Sequence, residues 1–142
     1  WCSVQEALLV ASRFGMDVTV ARPDGYDLDP KVYEWTQANC KANGRTFQVT
    51  DEPESGYKDA HIVYSRNWVT SKAYHDGELH KQAEIEKAMA YQGWTTTAER
   101  MARTDNAIFT HPMSPTRSPA APAAPSMTSP RTAYTYKRPL WR

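Results

Sequence analysis

Cysteine is scarce in this chain. Cys2 and Cys40 are too few and too far apart for a disulfide scaffold or a thiolate metal site, and both read as structural or incidental thiols. Neither sign of charge dominates: the net charge is +1, which leaves no electrostatic case for nucleic acid or a membrane surface as partner. No apolar run is long enough to span a bilayer and no signal peptide opens the chain, so a cytoplasmic location is expected. Gly-x-Gly-x-x-Gly follows none of the strand-like runs. A dinucleotide would therefore lack its phosphate cradle, and no cofactor is expected. Asp24, Asp27 and Asp29 cluster, but at a spacing suited to turn and cap duties, not to a metal. His61, His75 and His80 share no spacing and read as surface or loop residues.

What the chain does contain is a repeated alternation of helix and strand. Val4, Ala7, Leu8, Val10 and Ala11 recur at helical spacing, and Gly15 falls where that helix must stop with a left-handed residue. Met16 to Ala21 is rich in β-branched residues and reads as a strand, followed by a Pro23-Asp24-Gly25 turn. Asp29 is placed to cap the next helix, with Pro30 at its first position, where a missing N–H costs nothing. That helix covers Val32 to Ala42 and ends at Asn43-Gly44; a strand from Thr46 to Thr50 comes next.

A short acidic helix around Pro53 to Lys58 precedes a third strand over Ala60 to Tyr64. Leu79 to Tyr91 reads as a helix closed by Gln92-Gly93. Thr95 to Ala102 reads as another, capped by Thr96 or Thr97, before a fourth strand at Ala107 to Thr110. Trp35 and Trp94 are assigned to helix packing, with pocket lining as the other option for them and for Trp68. Four strands alternating with helices predict an α/β fold: a Rossmann-like, three-layer domain with one mainly parallel sheet covered on both faces. Because such a unit ordinarily begins with a strand and this chain opens on a helix, a portion ahead of Trp1 is expected to be missing.

Three blocks carry a family resemblance. They are Arg13-Phe14-Gly15-Met16-Asp17-Val18-Thr19 with Pro23-Asp24-Gly25-Tyr26-Asp27-Leu28, then Tyr57 to Trp68, then Phe109-Thr110-His111-Pro112-Met113. In this order and spacing they resemble the second, amino-acid-binding domain of the aspartate/ornithine carbamoyltransferases, over residues 1–113. The resemblance implies transfer of a carbamoyl group from carbamoyl phosphate to the amine of an amino acid. It also implies a homotrimer, and a separate domain in which a Ser-Thr-Arg-Thr type motif at a helix N-terminus holds the phosphate. That motif is absent from this sequence, so the chain alone is expected to be inactive.

His111 matches the His of the family's His-Cys-Leu-Pro segment, which implies that it is the catalytic residue facing the carbamoyl oxygen. Pro112, Met113 and Ser114 replace the Cys, Leu and Pro. The carbonyls of Pro112 and Met113 remain available to the carbamoyl amino group. Ornithine-specific members carry an Asp and then Ser-Met-Gly in the loop after the third strand; here Arg66, Thr70, Ser71 and Lys72 stand at the matching positions. A cation there repels an ammonium group, which argues against ornithine bound in that orientation. Arg66 is suited to a carboxylate, and with Trp68 and Thr70 forms the expected substrate-binding set, nearest to the N-acylornithine and orphan branches of the family.

Residues 114–142 change character: they are rich in Pro, Ala, Ser, Thr and Arg, contain no acidic residue, and are expected to be disordered. Read one frame over, with the third base of each codon joined to the first two of the next, Ser126 to Arg142 permits Tyr-Asp-Glu-(Pro or Ser)-Glu-Asn-Arg-Leu-His-Val-Gln-Lys-Ala-(Ile or Leu)-Met-Ala. This is similar to the Glu-x-Asn-Arg-Leu-His-x-Gln run that leads into the family's last helix, so a frame slip after Thr110 is expected. The competing reading is a non-enzymatic interaction protein, a Rossmann-like platform with a genuine proline-rich tail.

Overall fold

A computed structural model describes residues 2–67, 74–75, 78–79, 82, 86, 88–110 and 131–137. Helix α1 runs Cys2–Arg13 and β1 Asp17–Ala21; α2 spans Pro30–Ala42, β2 Phe47–Thr50 and β3 Ile62–Asn67. A small hairpin, β4 (Tyr74–His75) and β5 (Glu78–Leu79), stands apart from the main sheet. Then come α3 (Ala98–Met101), β6 (Ile108–Thr110) and β7 (Arg131–Lys137). Short 3-10 turns occupy Pro53–Gly56 and Gln92–Trp94.

The local punctuation acts as its chemistry requires. Gly15 adopts φ +69° between α1 and β1, which a side chain would strain. The Asp29 carboxylate accepts from the Lys31 N–H at 2.9 Å, and Pro30 opens α2. Gly44, at φ +64°, lets the chain leave α2 and enter β2, with the Arg45 N–H donating to the Cys40 carbonyl at 2.7 Å.

The main sheet has the strand order β2-β1-β7-β3-β6. All four expected strands are present, and β1/β2 and β3/β6 pair in parallel. The fold is therefore α/β and Rossmann-like. A fifth strand, β7, lies antiparallel between β1 and β3, with Val20 opposite Tyr134 on one side and Tyr64 opposite the same Tyr134 on the other. Within the tail expected to be disordered, Arg131–Lys137 is thus a strand: alternating Thr and Tyr favour extended backbone, and two open strand edges face it.

The main core joins α1, α2 and β1 through Val4, Leu8, Ala11, Val18, Val20, Leu28, Val32 and Cys40. Ser12, fully buried in α1, ties the two helices: its Oγ accepts from Asn39 and its carbonyl from Asn43, at 3.1 and 3.0 Å. Cys40 is buried here, and burial followed by the nearby Asp17 charge pushes its thiol up, as suits a structural thiol. A second cluster, Tyr57, Ala60 and Val63, backs β3, and a third sets Tyr26 against Ala88 with Tyr91 and Trp94 beside them. Gly56 is buried so close to β1 that a Cβ there would stand 2.7 Å from the Ala21 Cβ.

Three expectations need correction. Val10 is 53% exposed, because at 100° per residue it lies about 200° round the helix from Leu8, away from the Val4-Leu8-Ala11 stripe. Trp35 is 55% exposed, since the stripe of α2 that faces the core is Val32, Thr36 and Cys40; the indole instead lines a groove of about 520 Å³ with Leu9, Val10 and Arg13. The helix read from Leu79 onward starts later, because Leu79 pairs with Tyr74 in the hairpin; helical backbone is present at Gln82, Glu86, Ala88 and Met89.

Candidate functional site

Parallel strands of an open α/β sheet present their carboxyl ends along one edge, and ligands of such folds bind in the crevice beyond that edge. Here the edge is formed by Ala21, Thr50, Asn67 and Thr110. Arg22 follows β1 directly. Its N–H donates to the Thr50 carbonyl at 2.9 Å, and its guanidinium pairs with Asp27 at 2.5 Å. Burial alone would lower the Arg22 pKa, but the Asp27 charge and Tyr33 outweigh it and raise it. The Tyr33 hydroxyl accepts from the Leu28 N–H at 3.2 Å, which fixes the loop between β1 and α2. A cleft of about 330 Å³ opens between these strand ends, lined by Arg22, Asp24, Val49, Thr50 and Asp51.

At the other half of the edge, β3 is anchored from below. Ser65 is fully buried and its Oγ accepts from the Thr96 hydroxyl at 3.4 Å; Thr96 is also 2.8 Å from the Tyr57 hydroxyl. Glu54 holds Arg100 at 2.9 Å and Arg103 at 2.6 Å, joining the Pro53–Gly56 turn to α3. Arg100 also donates to the Thr95 carbonyl at 2.6 Å. These contacts fix the backbone on which Arg66, one residue further along, is carried. Arg66 is half-buried next to the end of β3, and no carboxylate pairs with it among the described residues. Tyr64 pairs with Thr110, so β6 ends beside the strand that carries Arg66.

Tyr57 carries a pH consequence. Burial first, and Glu54 last, raise its phenol above the ordinary value, against the opposing effects of Thr96 and Arg100. The neutral phenol is favoured in the folded state. Its contribution is therefore complete below about pH 10 and is lost as pH rises through the higher folded value. Melting temperature is expected to stay level up to about pH 10 and then fall, with a shallower fall in Tyr57→Phe. A level profile well above pH 10 in both proteins contradicts this.

Of the site residues read from the sequence, Arg66 lies near the carboxyl end of β3. Trp68, Thr70, His111, Pro112 and Met113 lie outside the described residues, as do Ser71 and Lys72. Asp29 caps α2, as its spacing suggested, whereas Asp27 is the ion-pair partner of Arg22. His61 meets Asp105 at 3.0 Å. Sequence reasoning missed Arg22, whose only signal is its position directly after an apolar strand. It also missed the Ser65, Thr96 and Tyr57 chain, which joins residues far apart in sequence.

The fold is a Rossmann-like α/β domain with a polar cleft at the carboxyl ends of its parallel strands. The comparisons are more specific. Residues 1–119 match the Asp/Orn binding domain of aspartate/ornithine carbamoyltransferase, and the chain belongs to that family. The carbamoyltransferase-like protein YgeW of Escherichia coli (strain K12) is 36% identical over 77% of this chain and 31% of its own length. The N-acetylornithine carbamoyltransferase of Xylella fastidiosa (strain 9a5c) is 32% identical over 74% of this chain and 30% of its own. A crystal structure of acetylornithine transcarbamylase complexed with acetylcitrulline superposes with a TM-score of 0.64 at 31% identity, over 80% of this chain and 33% of that one. The chain thus spans about a third of the length of the curated relatives it matches. No helix among the described residues is long and apolar enough to cross a membrane.

Proposed function

We propose that this chain is the amino-acid-binding part of an enzyme that moves the carbamoyl group of carbamoyl phosphate to the amine of an N-acylated, ornithine-like amino acid. The observation that carries this reading is the position of Arg66. A guanidinium at the carboxyl end of β3, beside β6, offers a planar fork to a substrate carboxylate at the edge where such folds bind ligands. It disfavours a free ammonium at the same place. A relative complexed with acetylcitrulline supports an acylated substrate. His111 would polarise the carbamoyl oxygen as charge develops on it, with the carbonyls of Pro112 and Met113 orienting the carbamoyl amino group. Trp68 and Thr70 would complete the amine site. The phosphate-binding part and the trimer contacts would come from outside residues 1–113, and the enzyme would act in the cytoplasm.

The experiment is to obtain the nucleotide sequence from the Ile108 codon through Arg142 and beyond, and upstream of Trp1, and to assay the full-length product. Phosphate release from carbamoyl phosphate is expected with N-acetylornithine as acceptor and none from the 142-residue chain alone. Absence of release with any amine acceptor overturns the reading. In the same enzyme, Arg66→Glu is expected to raise KM for the acceptor about 10–100-fold, the value of a lost charge-assisted pair, with kcat much less affected. An unchanged KM removes Arg66 from the site.

A further inference from the structure

Helices α1 and α2 bury one stripe each against the core and carry a second apolar surface on their outer side. The groove of about 520 Å³ between them has Glu6, Leu9, Val10 and Arg13 of α1 on one wall and Trp35 and Ala38 of α2 on the other. Val10 and Trp35 are both more than half exposed, and Phe14, 71% exposed, extends the surface one turn beyond Val10. These are three of the six large apolar side chains most open to solvent among the described residues. Scattered singly they would need no explanation, but gathered on one helix pair around a groove they have the composition of an interface core.

The order of residues along α1 says what the groove is shaped for. Glu6, Leu9, Val10 and Arg13 stand at i, i+3, i+4 and i+7, so they form one stripe. Its charged ends are about 10 Å apart, at 1.5 Å of rise per residue. The stripe reads acid, apolar, apolar, base. Turned end over end about a two-fold axis between Leu9 and Val10, it meets its own complement: Glu6 faces Arg13 of the second copy, Leu9 faces Val10, and the same contacts recur on the other side of the axis. Neither Glu6 nor Arg13 forms an ion pair with a described residue, so both charges are free to make that contact. A groove for a strongly acidic or basic partner would carry a single sign of charge, and this one carries one of each.

We propose that the outer face of α1 and α2 is a self-association surface, through which two copies of this chain dock about a two-fold axis with their α1 helices antiparallel. Each copy's α1 lies in the groove of the other. Trp35 is the anchor, since a half-exposed indole gains the most from being covered, and Ala38 beside it leaves room for the incoming helix. The two Glu6 and Arg13 pairs fix the register and reject the parallel arrangement, which would set like charges against each other. This inference concerns the outer helical face alone and does not depend on the reaction assigned to the site.

The test is sedimentation velocity on the 142-residue chain over a range of concentrations, where the dimer should be the main species at about 100 μM. Glu6→Arg and Arg13→Glu each set like charges together at both ends of the stripe, and each should raise the dimer dissociation constant at least about tenfold. Mixed in equal amounts, the two single variants should form a heterodimer, because every facing pair is then again of opposite sign. The double variant with both reversals should dimerise within about threefold of the original chain, the residual being the ordinary non-additivity of neighbouring sites. Trp35→Ala should weaken the original dimer at least about tenfold. All of these positions but Leu9 are exposed, and an unchanged far-UV circular dichroism spectrum verifies that each variant keeps the fold. A chain that stays monomeric at about 100 μM overturns the proposal. So does a dimer indifferent to the single reversals, or a loss that neither mixing nor the double variant restores, for α1 would then face something other than its own copy.

Discussion

Leu8→Ala is expected to destabilise the domain by about 2–5 kcal/mol, measured as a drop in the free energy of unfolding in urea. Leu8 is 0% exposed and sits in the core built by α1, α2 and β1, among Val4, Ala11, Val18, Val20 and Val32. Removing its branched end forfeits transfer energy and leaves a cavity between two helices tied together by Ser12, Asn39 and Asn43, which limits how far they can close. Small domains hold only about 5–15 kcal/mol in total, so the loss is a large share. Val10→Ala, off the stripe and half exposed, serves as the comparison: its cost should stay within about 0.5 kcal/mol. Equal effects at the two positions contradict the packing described.

His111→Ala in the full-length enzyme should lower kcat about 10²–10³-fold while changing KM for the acceptor little, the signature of a group whose interaction strengthens in the transition state. Its opposite is the Arg66 variant, whose effect falls on KM. Phosphate release at saturating acceptor separates the two. If His111→Ala retains kcat within about threefold, the polarising role belongs to another residue, and the matching of Phe109-Thr110-His111 to the family segment carries no catalytic meaning.

Much of the fold was legible because local chemistry and tertiary packing agree. Gly15, Asp29, Pro30 and Gly44 act at the places where their backbone preferences put them, and the four strands read from β-branched alternation all form, three within one residue at either end and β3 shifted by two to three residues. Exposure was less legible: Val10 and Trp35 satisfy a loose helical pattern but fall outside the stripe that α1 and α2 bury against each other, and only the relative rotation of two helices decides that. The strand at Arg131–Lys137 was read as part of a Pro/Ala/Ser-rich tail, since its pairing is wholly non-local and its composition polar. The polar link of Tyr57, Thr96 and Ser65 was hidden for the same reason, for it joins three segments that meet only after the sheet has formed. Arg66 was read as a candidate through the block it belongs to, and it lies near the carboxyl end of β3.

Asp17 pairs with Lys137, and Ile62 with Tyr136, so the middle of the sheet closes only once residues 131–137, far along the chain from both β1 and β3, have been made. Until then β1 and β3 each carry one unpaired inner edge for the whole time that the intervening residues are being translated. At ordinary elongation rates this is on the order of ten seconds. Such non-local closure folds slowly, and open strand edges invite pairing with other nascent chains. Yield in the cell should accordingly depend on temperature and chaperone supply more steeply than the finished domain's stability alone would suggest.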